Sequence, residues 1–165
     1  MLIDYLTNKE FEYLKSLLSQ NKGMSHIEYQ NLKSRHPYAV EREDNQLIHS
    51  KMKHYGLDND LSKFINDKFG KPEYEIDFLY ELTYNENDYT TPHRDAHFVL
   101  QTTLILLSDS FEGGKLMIDE KDVNFNKIGQ YINFNGHDQT HEVTQVESGQ
   151  RRVLVIMFNK KKELF

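Results

Sequence analysis

The chain has 165 residues, 38% of them hydrophobic and 12% aromatic, enough for one domain with a sizeable core. Its 20 Lys and Arg against 26 Asp and Glu give a net charge of −6, which excludes a generally basic protein that coats nucleic acid or anionic membrane. With no cysteine, disulfides, thiolate zinc sites, iron–sulfur clusters and cysteine nucleophiles are excluded as well.

The opening MLIDYLTNKEFEYL already carries acidic residues and shows no secretory apolar core, so a cytoplasmic setting is expected. Thr7 followed by Glu10 has the spacing of a capping box. Phe11, Leu14, Leu17 and Leu18 then recur at helical spacing and predict an amphipathic helix over 8–20. A weaker helix is expected over 44–55, with Leu47, Ile48 and Met52 as its apolar side. Asp58 can cap a further helix carrying Leu61, Phe64, Ile65 and Phe69, which Gly70-Lys71-Pro72 ends.

From Tyr74 onward the texture changes to strands, read near 74–84, 97–107, 115–118, 130–134, 141–146 and 151–158. The polar stretch 85–91 reads as a flexible lid anchored by Tyr89. The most apolar run, Val99 to Leu107, is interrupted by Gln101, Thr102 and Thr103 and is too short to span a bilayer, so no membrane partner is expected. No linker or repeat divides the chain. Residues 1–165 are therefore expected to form a single domain, mainly β with N-terminal helices. In it, helical support from 1–70 buttresses a sandwich or barrel core over 74–158.

His93 and Asp95 form His-x-Asp, an offset that puts both side chains on one face of an extended segment. His141, at the start of another predicted strand, can supply a third ligand. Two imidazoles and one carboxylate leave the opposite positions of an octahedral ion open, and such N and O ligands suit Fe(II), Mn or Zn. From Arg151 to Phe158 the sequence alternates. Arg151, Val153, Val155 and Met157 share one face, and Arg152, Leu154, Ile156 and Phe158 share the other. If the first face lines a cavity, Arg151 is a buried charge that needs an anion, such as a carboxylate held by a bidentate pair. If the faces are reversed, it is a surface residue; periodicity leaves both open because both faces are largely apolar.

Four segments carry a more specific signal: LTYNENDYTTPHRDAH, TTLILLSDSFEGGKLMI, GQYINFNGHDQTHEV and VTQVESGQRRVLVIMF. In order and spacing over 78–158, about half the chain, they resemble the prolyl-4-hydroxylase-like branch of the iron(II)- and 2-oxoglutarate-dependent dioxygenases. The FEGGKL turn and the HEVTQVESGQR run are the distinctive parts. The resemblance implies a double-stranded β-helix, or jelly roll. It assigns His93, Asp95 and His141 to Fe(II), Arg151 to the distal carboxylate of 2-oxoglutarate, and Tyr84 to a further cosubstrate contact. It also implies O2 as the other cosubstrate, ascorbate as reductant, and hydroxylation with release of succinate and CO2. An intact Asp95 favours hydroxylation over the halogenation run by relatives that lack the carboxylate. One departure stands out. A second tyrosine that several relatives turn on the distal carboxylate falls here at Leu106, which donates no hydrogen bond; Thr102 and Tyr131 are the candidates to replace it.

The branch favours a prolyl residue in a peptide or protein as substrate, with Tyr89, Arg94 and His97 bordering the mouth. A free amino acid or other small metabolite is the alternative, and extended nucleic acid is disfavoured by the charge. Two other readings keep the β fold: hydrolysis or isomerisation at Zn or Mn, and a noncatalytic β-sandwich that binds metal or ligand. A monomer and a homodimer are both compatible with the sequence. His137 reads as a loop residue, Arg152 as a surface residue, and His26, His36, His49 and His54 show no ligand spacing. Gly113-Gly114 lacks the strand–loop–helix context of a phosphate loop and reads as a tight connection.

Overall fold

Thr7 closes the capping box that the sequence predicts. Its hydroxyl accepts from the Glu10 N–H at 3.1 Å, and the Glu10 carboxylate accepts from the Thr7 N–H at 2.9 Å. Helix α1 (Asn8–Gln20) follows, burying Phe11, Leu14, Leu17 and Leu18. Asp58 caps α2 (Asn59–Phe69) through the Leu61 N–H, and Leu61, Ile65 and Phe69 form its buried stripe. The computed structural model describes residues 2–21, 23, 47–48 and 51–161.

Antiparallel sheets dominate the chain. The largest holds β1 (Leu2–Tyr5), β3 (Lys51–His54), β4 (Tyr74–Tyr84), β6 (Gln101–Leu106), β10 (Gln130–Phe134) and β13 (Arg151–Lys160), in the order β1-β10-β6-β13-β4-β3. A second sheet runs β2-β5-β11-β8-β9, built from β2 (Leu47–Ile48), β5 (Tyr89–His93), β8 (Leu116–Ile118), β9 (Lys121–Asp122) and β11 (His141–Val143). A third pairs β7 (Phe111–Gly113) with β12 (Val146–Gly149).

The core has two compartments, one on each face of the large sheet. On one side α1 and α2 pack Leu14, Leu17, Leu61 and Ile65 against Ile105, Leu154, Ile156 and Phe158. On the other, Leu82, Leu104, Leu106, Val153 and Val155 meet Leu116, Ile118 and Val143 of the second sheet. This is a mixed α/β fold in which a large antiparallel sheet is covered by helices on one face and by a smaller sheet on the other. Among the described residues no helix is long and apolar enough to cross a membrane.

Several sequence expectations are corrected. The helix expected over 44–55 is absent from its described part: Leu47–Ile48 and Lys51–His54 are strands, and 44–46 and 49–50 lie outside the described residues. Met52 pairs with Leu82 and His54 with Tyr80, so the edge of the large sheet overrides a weak local helical pattern. The stretch 1–70 thus contributes strands as well as helical support. Tyr89–His93 is a strand rather than part of a lid, because both β2 and β11 pair with it. The strand expected from 97 begins at Gln101, since Ala96 to Val99 closes a turn by a 3.0 Å backbone bond. The strand expected over 141–146 stops at Val143. There Thr144 and Gln145 turn to the backbone of Lys115 and Gly114, and Val146 starts β12.

Candidate active site

His93 ends β5 and faces His141, the first residue of β11, as its register partner. Asp95 lies just past β5, where its N–H donates to the Gly136 carbonyl at 2.8 Å. The extended segment therefore ends at His93, and the β10–β11 connection positions Asp95. The three ligand atoms lie within 4.8 Å of one another, and among the described residues this is the cluster that can hold a metal ion. Asp95 Oδ1 is 3.2 Å from His141 Nε2 and 3.9 Å from His93 Nε2.

The tautomers follow from the backbone. His93 Nδ1 lies 2.8 Å from the Thr91 carbonyl and His141 Nδ1 lies 2.9 Å from the Gln139 carbonyl. A carbonyl only accepts, so each Nδ1 carries the proton and each Nε2 presents its lone pair. Burial opposes the charge on Asp95. The neighbouring His141 side chain, the Thr102 hydroxyl that donates to Asp95 and the His93 imidazole nevertheless hold its carboxyl below the usual carboxylate range. An ionised oxygen facing two imidazole lone pairs calls for a cation between them. Ligands about 2.1 Å from one ion sit roughly 3 Å apart in neighbouring positions, close to the separation seen for Asp95 and His141. The donor set fits a divalent metal.

Arg151 is fully buried, and its Nε, Nη1 and Nη2 have no hydrogen-bond partner among the described residues. Its guanidinium lies 5.2 Å from the centre of the Tyr84 ring, and both residues line the same cavity as the triad. The alternation on β13 is thereby decided. Arg151, Val153, Val155 and Met157 face the cavity, whereas Leu154, Ile156 and Phe158 face the helices. Burial weighs against the guanidinium charge, lowering its pKa from the usual value, yet arginine stays a cation in proteins. A buried cation without an internal partner is a receptor for an anion. Gly114 makes room for it, since a Cβ there would stand 3.0 Å from Arg151 Cδ in a backbone with φ +57°. Burial also pushes the Tyr84 phenol up, and its hydroxyl lies 2.6 Å from that of Thr90.

No protein-family model and no curated protein matches the sequence. Solved structures do match in fold. A 2OG-Fe(II) oxygenase family oxidoreductase from Burkholderia pseudomallei is 13% identical, covers 96% of this chain and 94% of its own, and gives a TM-score of 0.53. The viral collagen prolyl hydroxylase of Paramecium Bursaria Chlorella virus-1, solved with 2OG, is 15% identical over 84% of this chain and 92% of its own, with a TM-score of 0.59. HygX from Streptomyces hygroscopicus, solved with nickel and 2-oxoglutarate, is 12% identical over 97% and 82%, with a TM-score of 0.55. The fold is shared with the 2-oxoglutarate and iron(II) oxygenases. The His93, Asp95 and His141 set is the ligand type that the sequence resemblance pointed to.

Tyr89, Arg94 and His97 do not line the cavity. Tyr89 is half-buried beside a neighbouring open groove that also involves Pro92 and Glu142. Arg94 is exposed and reaches Thr140 Oγ1 at 3.4 Å, and His97 is exposed with its ring edge-on to Phe98. Arg152 is not a plain surface residue: it grips the buried Glu81 through Nε at 2.9 Å and Nη2 at 3.1 Å. His137 is a loop residue whose Nδ1 meets the Val99 carbonyl, and His54 sits against Met52 and Tyr80. His26, His36 and His49 lie outside the described residues.

Neither candidate for the missing tyrosine takes that place. Tyr131 packs among the helix-side core, and Thr102 donates to Asp95. Leu106 is wholly buried between the sheets. Sequence reasoning missed Gly136 and Thr90 altogether. The Asn-Gly pair at 135–136 is a turn dipeptide, but nothing local links that turn to Asp95.

Proposed function

We propose that the chain is an Fe(II)- and 2-oxoglutarate-dependent dioxygenase that hydroxylates an unactivated C–H bond, with a prolyl residue of a peptide or protein as substrate. The observation that carries this reading is the wholly buried Arg151 guanidinium, without a hydrogen-bond partner among the described residues, in the same cavity as the triad. A metal triad alone would serve hydrolysis equally well. A separate receptor for a remote carboxylate is what a dicarboxylic 2-oxo acid requires. The triad and the shared fold support the dioxygenase activity.

In this reading His93, Asp95 and His141 hold Fe(II), within a jelly-roll core of a single cytoplasmic domain spanning 1–165. The chemistry supplied by bound iron is the oxidative decarboxylation of 2-oxoglutarate to succinate and CO2, coupled to insertion of one oxygen atom of O2 into a C–H bond. The protein's own part is binding and orientation. Arg151 pairs with the distal carboxylate, and Tyr84 adds a hydroxyl that can exchange its Thr90 partner for the same carboxylate. Val153, Val155 and Met157 line the space beside them and exclude water. Proton transfer by Asp95 is not required, because its oxygens are committed to Thr102 and to the metal site. Tyr89, Arg94 and His97 border the approach and contact the substrate. Ascorbate would serve as the reductant that rescues uncoupled turnover. The prolyl assignment draws support from the sequence resemblance and from the collagen prolyl hydroxylase among the fold matches.

The test is aerobic turnover with Fe(II), 2-oxoglutarate and ascorbate against proline-bearing peptides and free amino acids, following succinate and a +16 Da product. Peptide-dependent succinate release, absent in His93→Ala, is the expected outcome. Release driven by a free small molecule and not by peptides would overturn the peptide assignment and leave the dioxygenase intact.

A further inference from the structure

Asp95 offers two oxygens, and the protein treats them differently. Oδ1 faces the Nε2 atoms of His141 and His93 at 3.2 and 3.9 Å. Oδ2 accepts from the Thr102 hydroxyl at 2.5 Å, a short charge-assisted bond. Thr102 is 2% exposed and lies on β6, clamped between β10 and β13, with Phe134 and Met157 as its register partners. Phe134 in turn stands edge-on to the His141 ring at 4.9 Å. One rung of the large sheet therefore braces two of the three ligands.

Gly136 completes the arrangement. Its carbonyl accepts from the Asp95 N–H at 2.8 Å, a backbone bond that any residue could make. The absent side chain is what matters. A Cβ at this position would stand 1.9 Å from Asp95 Oδ2 and 2.4 Å from Thr102 Oγ1, inside both. The carboxylate and the hydroxyl occupy the space that any other residue would fill.

We propose that Thr102 is a positioning residue that holds Asp95 as a one-oxygen metal ligand, in a recess that Gly136 keeps open. This rests on the metal reading of the triad. With Oδ2 committed to Thr102, only Oδ1 is presented to the ion, and the carboxylate cannot swing to chelate with both oxygens. The hydroxyl thus acts through Asp95 on how tightly and in what form the ion is held, without touching substrate.

The experiment is calorimetric titration of Mn(II) into the full-length protein, comparing wild type with Thr102→Ser, Thr102→Val and Gly136→Ala. Valine matches threonine in shape and strand preference but cannot donate. Loss of a hydrogen bond to a ligating group typically weakens metal affinity by about 10–100-fold. Thr102→Val is expected to show that loss, and Thr102→Ser, which keeps the donor, to stay near wild type. Gly136→Ala is expected to lose at least as much as Thr102→Val, since its methyl displaces the carboxylate itself. Visible absorption of the Co(II)-loaded proteins gives a second readout: the spectrum should change in Thr102→Val and be restored in Thr102→Ser. Wild-type affinity and an unchanged Co(II) spectrum in Thr102→Val would overturn the proposal. Should that variant fail to fold, wild-type affinity in Gly136→Ala would overturn it equally. A wild-type protein that takes up no Mn(II) would instead overturn the metal reading on which the proposal stands.

Discussion

Arg151 is an expensive residue for the fold to keep. A charged group removed from water costs several kcal/mol unless something answers it, and among the described residues the Arg151 guanidinium has the face of the Tyr84 ring beside it but no hydrogen-bond acceptor. The position is otherwise suited to an apolar residue, lying in line with Val153, Val155 and Met157. Arg151→Met should therefore leave the ligand-free protein as stable as wild type or more so, by up to about 1–4 kcal/mol. The same variant should lose roughly 30- to several-thousand-fold in affinity for 2-oxoglutarate, the cost of about 2–5 kcal/mol for deleting one partner of a buried charge pair. Thermal unfolding and anaerobic calorimetry check the two halves. A variant that is destabilised without ligand and binds 2-oxoglutarate normally would show that the guanidinium serves the fold.

At the scale of elements, α1 shows how a local motif links to tertiary structure. Glu10 accepts from the Thr7 N–H through one oxygen and pairs with Lys68 of α2 at 2.9 Å through the other. The Thr7 backbone bond, then Lys68, holds the Glu10 carboxyl below its ordinary value of 4.5. A depressed folded-state pKa means that the contribution is present above the ordinary value. It is lost as the pH falls through the lowered one. Thr7→Ala should cost about 1 kcal/mol at neutral pH. Glu10→Gln should be less stable than wild type at pH 7, and the gap should narrow once wild-type Glu10 is protonated. Urea unfolding of both proteins between pH 7 and pH 3 measures it, and a gap that widens on acidification would contradict the capping role.

Across the whole molecule, the proposed ligands come from the end of β5, the coil behind it and the start of β11, so one ion ties two strands of the smaller sheet to the β5–β6 connection. An ion that binds only the folded state at about 100 times its Kd adds roughly 2.7 kcal/mol. For a chain of this size that corresponds to a Tm rise of about 5–10 °C. Mn(II) against a chelator in a thermal melt should show the rise in wild type and not in His141→Ala. Equal melting with and without metal in wild type would argue that the cluster holds no ion.

Features with local causes are legible in the chain before it folds. The capping box and apolar stripe of α1 come from side chains within one or two turns, and the strands at Tyr74–Tyr84, Gln130–Phe134 and from Arg151 come from apolar alternation and turn residues. The triad residues were legible through their spacing and the resemblance. The remaining features depend on partners far away in the chain. Leu47–Ile48 and Tyr89–His93 became strands because partners from distant segments claim their backbone hydrogen bonds, against a local pattern that read as helix or loop. Both faces of β13 are apolar, so the side on which Arg151 lies was fixed by which face the helices cover. Thr102 and Thr103 are adjacent and chemically alike. Their opposite fates, one on Asp95 and the other on Asn133, follow from the pleat of β6 between two neighbours, which no single segment of sequence records.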